Sequence, residues 1–242
     1  MSADRLDSLT SWRADWAGLR VAVLGLGVTG FAVADTLAEL GATVLVIAGR
    51  PDEERERILE VIGVEMVVEP DAAAVPSELE QFAPELVVVS PGYHPDHRLV
   101  RWAEDRGTPI WGDIELAWRL RDKVEPAAEW MLITGTNGKT TTTGMTAHLL
   151  RTAGLRAVEA GNIGVPVLDA IRDPQGFDAI VVELSSYQLH RMPIDGPGAV
   201  VPLASVCLNV ADDHLDWHGS AQAYAAAKAR VYANTRIACV YN

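Results

Sequence analysis

Residues 133–143 read ITGTNGKTTTT, a single lysine in a glycine-rich setting followed by four threonines. Gly135, Asn137 and Gly138 let backbone N–H groups turn toward an anion, with Thr136 between them. Lys139 can reach the outer phosphates of a nucleotide, and the Thr140 hydroxyl, with Thr141 behind it, suits a magnesium ion. The complete GxxxxGK[ST] pattern would need glycine where Ile133 stands, so only its working end is present. The plain alternative is a glycine-capped turn with a surface lysine, but four β-branched hydroxyl residues are a poor start for an ordinary helix.

Magnesium needs further oxygen ligands. The run DAIVVELSS ends an apolar strand on Glu183, at the carboxyl edge of a parallel sheet where such folds bind ligands. LNVADDHLDWHG is another strand, running into Asp212, Asp213, His214, Asp216 and His218. That cluster suits a second metal or an attacking group, with His214 the favoured member, or else a helix-capping Asp among solvated neighbours. Lys228, in YAAAKARVY, shares a helix face with Tyr224 and Tyr232, and periodicity alone makes it a snorkelling surface lysine.

A second glycine loop, GLGVTG with Gly25, Gly27 and Gly30, follows a strand and opens a helix, the setting for phosphate binding at a helix N-terminus. A dinucleotide site would carry an acid at the end of the next strand, where this chain has Ala48 and Gly49. The diphosphate of another nucleotide is therefore favoured over NAD or FAD, with a structural tight turn the remaining reading.

These loops need parallel sheets to hold them, and the chain alternates short β-branched runs with helical patterns. The expected fold is α/β: a Rossmann-like domain over residues 1–122, the charged linker RDKVEPAAE, and an ATPase-like α/β domain over 123–242. Helices are expected over about 31–40, 53–62, 139–153 and 221–234. The chain stops on a strand, so the second domain reads as incomplete.

With 242 residues, 49% hydrophobic and 22% charged, two globular domains are expected, and a formal net charge of -13 argues against nucleic-acid or acidic-membrane partners. No segment has the length and apolarity of a signal or a membrane span, which places the chain in the cytoplasm. Cys207 and Cys239 lie in apolar runs and are expected to be buried thiols. Only Lys123, Lys139 and Lys228 are lysines, so where lysine persists its amine chemistry is of interest.

In order along the chain, GLGVTG, SPGYHP, GDIEL, TGTNGKTTT, GNIG, ELSSYQL, LNVADDHLD and YAAAKARVY resemble the landmarks of the Mur ligase family. SPG and GDIEL favour its D-glutamate-adding branch. The resemblance implies ATP-dependent addition of D-glutamate to UDP-N-acetylmuramoyl-L-alanine through an acyl phosphate, by a cytoplasmic monomer in peptidoglycan precursor synthesis. Lys139 would stabilise the phosphoryl oxygens, and Thr140 and Glu183 would hold one Mg2+. His214 and a carbamylated Lys228 would hold a second, which replaces the snorkelling reading of Lys228. The first domain would bind UDP, with Val28, Thr29, Ser90 and Gly92 near the diphosphate. Asn162 would assist, and Ser185, Gln188 and Tyr224 would face the sugar and peptide part.

Two departures stand out. Relatives carry an acid and a threonine after the second strand to grip uracil, leaving this chain backbone groups or Arg50. The family has a third, C-terminal domain, and these residues are expected to lack it. Another Mur-type ligase, a nicotinamide oxidoreductase and a non-catalytic nucleotide-binding module are the alternatives.

Overall fold

A computed structural model describes residues 3–70 and 75–242. The chain divides into two compact units, one running to Leu9 and then over Ala14–Asp113, the other comprising Thr10–Arg13 and Ile114–Asn242. Each is an α/β layer structure.

In the first unit, α1 (Ala3–Ser8) leads into β1 (Arg20–Leu24), α2 (Val28–Glu39), β2 (Thr43–Ala48), α3 (Glu53–Val61) and β3 (Glu65–Val68). Then follow α4 (Ser77–Phe82), β4 (Leu86–Val89), α5 (Arg98–Asp105) and β5 (Ile110–Gly112). The parallel sheet has the order β3-β2-β1-β4-β5. The winding reverses between β1 and β4, and a crevice opens beyond the carboxyl ends of two such strands. Central strands read as unbroken apolar runs because helices cover both faces: β1 and β4 are buried almost throughout, and Leu24, Ile47, Val87 and Val89 pack with Leu79 and Val100 in one core.

The second unit contains α6 (Asp113–Arg119), β6 (Glu129–Thr134), α7 (Lys139–Thr152), β7 (Ala157–Gly161), α8 (Val167–Ile171) and β8 (Ala179–Glu183). After these come α9 (Ser186–Arg191), β9 (Ala204–Cys207), α10 (Leu215–His218), α11 (Ala221–Ala229) and β10 (Ala238–Tyr241). Its parallel sheet has the order β10-β9-β6-β8-β7. β6 is central, and its register sets Ile133 beside Glu183 and Thr134 beside Cys207. The glycine-rich loop after β6 is thereby flanked by the ends of β8 and β9.

Three expectations change. The division falls between Asp113 and Ile114, ahead of residue 122. α6 belongs with the second sheet because Trp118 meets Trp130 edge-on at 5.2 Å and the buried Glu115–Arg119 pair lies against Gly198. The helix expected over 221–234 stops at Ala229 and tightens into a 3-10 turn over Arg230–Tyr232, where the Tyr232 hydroxyl donates to Val240 O and accepts from Cys207 N. Neither cysteine is fully buried: Cys239 is exposed on the edge strand β10 and Cys207 is half-buried, both as free thiols.

Candidate functional site

The glycine-rich loop after β6 is built by two glycines in the left-handed region, Gly135 at φ 152 and Gly138 at φ 83, the latter capping α7 with no side-chain hydrogen bond. The threonines then divide their work. Thr142, Thr143 and Thr146 donate to carbonyls four residues back, at 2.8 to 2.9 Å, which tolerates β-branched residues in the helix and leaves its first-turn N–H groups to an anion. Thr140 instead donates to Glu183 Oε2 at 3.0 Å, while Thr141 is exposed beside it.

Glu183 is 1% exposed and also accepts from Asn162 Nδ2 at 2.8 Å. One carboxylate thus ties the loop helix to GNIG, where Gly161 (φ 104) is required because a Cβ would lie 2.4 Å from Glu183 O. Asn209 brackets the loop from β9: its backbone O accepts from Thr136 N and its amide exchanges hydrogen bonds with Asn137 N and O, all at 2.9 to 3.0 Å.

Two ammonium groups converge on one carbonyl. Lys139 Nζ donates to Gly135 O and Thr136 O at 3.0 Å, and Lys228 Nζ donates to the same Gly135 O at 2.9 Å and to Thr134 Oγ1 at 3.3 Å. Lys228 is 2% exposed, so it does not snorkel. Burial, reinforced by the nearby Lys139 charge, pulls its amine down to about 8. Tyr224 is equally buried, its ring against Lys228 and its hydroxyl 3.0 Å from Thr136 Oγ1.

His214 lies apart from this knot, exposed on the turn before α10, with Nε2 3.5 Å from Asp213 Oδ2 and its ring near Tyr187 and Tyr224. Beside it, burial first and then the neighbouring histidines hold His218 down to about 4. Ser185 and Gln188 engage each other in the capping box of α9.

Magnesium characteristically takes one or two protein oxygens and fills its remaining positions with phosphate and water. Thr140 and Glu183 offer such a pair of hard donors, so the residues fit the ion. Among the described residues no group of three or more His, Cys, Asp or Glu could by itself hold a metal ion.

In the first unit Gly25 (φ 99) makes the turn after β1, and Gly30 permits close packing, since a Cβ there would lie 2.0 Å from Gly25 O. Val28 is exposed and Thr29 half-buried at the start of α2. Ser90 follows β4 with a buried hydroxyl lacking a hydrogen-bond partner, and Gly92 lies two residues on, exposed. Beside the loop is a pocket of about 330 Å3 walled by Ala48, Gly49, Arg50, Asp52, Arg55 and Tyr93.

Sequence reasoning looked for an acid at Ala48 and missed Asp52, which caps α3, accepts from Arg55 Nη1 at 2.7 Å and reaches the same pocket. Its signal was a Pro-Asp-Glu-Glu helix start. Thr134 and Asn209 were also missed. The available sign was a polar residue at or just beyond the end of an apolar strand.

A family description, the Mur ligase middle domain, matches residues 133–242, and another, the Mur ligase MurD-like N-terminal domain, matches 19–112. The chain belongs to the Mur ligase family. A UDP-N-acetylmuramoylalanine--D-glutamate ligase of Leifsonia xyli subsp. xyli is 63% identical over 247 residues, covering 100% of this chain and 48% of that protein. The enzyme of the same name from Tropheryma whipplei strain Twist is 49% identical, with 98% and 48% covered. The chain therefore spans about half the length of these curated Mur ligase relatives.

Among solved structures, a UDP-N-acetylmuramate:L-alanyl-gamma-D-glutamyl-meso-diaminopimelate ligase from Neisseria meningitides aligns with a TM-score of 0.56 at 20% identity, over 93% of this chain and 72% of that one. A murein peptide ligase from Psychrobacter arcticus gives 0.50 at 22%, over 88% and 47%. At such identities the likeness speaks for the Mur ligase fold alone.

Proposed function

We propose that this chain is the UDP-binding and ATP-binding part of a ligase that joins D-glutamate to UDP-N-acetylmuramoyl-L-alanine in the cytoplasm. The carrying observation is the contact of Thr140 with Glu183 at 3.0 Å, beside two lysines on one loop carbonyl, in a chain 63% identical to an enzyme of that name.

In this reading the second unit takes ATP. The N–H groups of residues 135–141 cradle the phosphates, and Lys139 leaves its loop carbonyls for the β- and γ-phosphoryl oxygens. The substrate carboxylate attacks the γ-phosphorus, ADP departs, and the amine of D-glutamate displaces phosphate from the acyl phosphate. Thr140 and Glu183 would hold one Mg2+, and His214 and Lys228 would hold a second; such ions would supply positive charge against that developing on the transferred group. Lys228 serves after its neutral amine adds to CO2 and releases a proton, giving a carbamate. An amine held at about 8 is neutral in roughly a tenth of molecules at pH 7, far more than an ordinary lysine, and this favours that addition.

The first unit takes the UDP end, with Val28, Thr29, Ser90 and Gly92 at the diphosphate and the pocket beside Arg50 at the base. Asn162, Ser185, Gln188 and Tyr224 support the muramoyl-alanyl side, the last three by holding backbone and loop in place.

The test is phosphate release by a form extended past Asn242, given ATP, Mg2+, UDP-N-acetylmuramoyl-L-alanine and a panel of amino acids. D-glutamate is the expected acceptor; preference for another amino acid would overturn the assignment.

A further inference from the structure

Glu183 ends β8, and Tyr187 lies four residues on, in the first turn of α9. The turn between them is locked by the capping box, with Gln188 N donating to Ser185 Oγ at 3.2 Å and Ser185 N donating to Gln188 Oε1 at 3.0 Å. The carboxylate and the tyrosine ring are therefore borne by one rigid segment.

The segment carrying His214 is tied at Ala211, whose N–H donates to Thr136 Oγ1 at 3.0 Å, but α10 has no side-chain cap hydrogen bond. His214 adopts a left-handed backbone (φ 50, ψ 33), and α10 behind it is a single turn with no buried residue. A ligand on so exposed a turn must be ordered when the metal binds, unless neighbouring groups order it beforehand. Those neighbours are aromatic. The Tyr187 ring lies 4.9 Å from the His214 imidazole, 4.8 Å from Trp217 and 6.0 Å from His218, the last nearly parallel at 12°. His190, one turn along α9, meets Trp217 edge-on at 5.0 Å. The turn sits on this face of α9.

We propose that Tyr187 is a positioning residue, seating the His214 imidazole through ring contact at a fixed offset from Glu183. It takes no part in the chemistry and makes no contact with the reacting groups. The proposal rests on the reading of His214 as a ligand of the second divalent ion.

The experiment is an electron paramagnetic resonance titration of the chain with Mn2+, in bicarbonate buffer with a non-hydrolysable ATP analogue. Wild type and Tyr187→Phe are expected to take a second Mn2+ with equal affinity. Tyr187→Ala and Tyr187→Leu should bind it about tenfold more weakly, the scale of a lost outer support, with the first ion and metal-free nucleotide binding unchanged. Tyr187→Leu keeps apolar bulk, so it remains informative if the alanine variant folds poorly. Unchanged second-ion affinity in Tyr187→Leu overturns the proposal, as does Tyr187→Phe behaving like Tyr187→Leu. A wild-type chain that takes up only one ion removes His214 from the metal site, and the support for it falls too.

Discussion

Lys139 and Lys228 donate to the same oxygen, Gly135 O. Their roles separate experimentally. Lys139→Ala is expected to lower phosphate release by the extended enzyme at least about 100-fold, close to 3 kcal/mol of transition-state stabilisation, the scale of a lost electrostatic group. A drop below about tenfold in a steady-state assay would contradict the role given to it. Lys228 adds a pH signature. Its amine is held at about 8 against 10.5 in an unfolded chain, so between those values the unfolded state binds more protons than the folded one. Stability therefore rises with pH across that window, and below about 8 a penalty of roughly 3 kcal/mol is fully present. Urea denaturation in CO2-depleted buffer at pH 7.5 and 9.5 should show wild type gaining stability relative to Lys228→Met.

At the scale of elements, the glycines of GLGVTG are unequal although the motif writes them alike. A Cβ on Gly30 would press on backbone, 2.0 Å from Gly25 O, whereas one on Gly27 meets nothing within 4 Å. Gly30→Ala should destabilise the first unit by about 1–3 kcal/mol, the range for overpacking, as read by thermal or urea unfolding. Gly27→Ala, at φ -75, should fold normally yet bind UDP more weakly, because the new methyl would occupy the space a diphosphate approaches through. Calorimetric titration with UDP separates the two cases. The second unit offers a parallel test. Ser185→Ala removes one half of the α9 capping box and should cost about 1 kcal/mol of stability.

For the whole molecule, the chain matches about half of its curated relatives' length, and the site is drawn from well-separated parts of the second unit. This chain alone should bind ATP with Mg2+ yet release phosphate at least about 100-fold more slowly than the extended form, since correct placement of reactants carries that much of a rate or more. Comparable turnover by both forms would show that no further segment is needed. Much of this was legible in the amino-acid order. Apolar runs in alternation with helical patterns specify parallel sheets, and glycines before a lysine specify a tight turn that opens a helix, because both signals are local. Lys228 was not legible in that way: a helical period records which residues share a face, not what that face meets, so only packing against Thr134 and Gly135 shows it buried. Likewise Asp52 reaches the first pocket through a helix cap, and Tyr187 meets His214 across a stretch of 27 residues that the strand order folds back. Local chemistry is written along the chain, whereas the company each group keeps follows from which strand ends the sheet brings side by side.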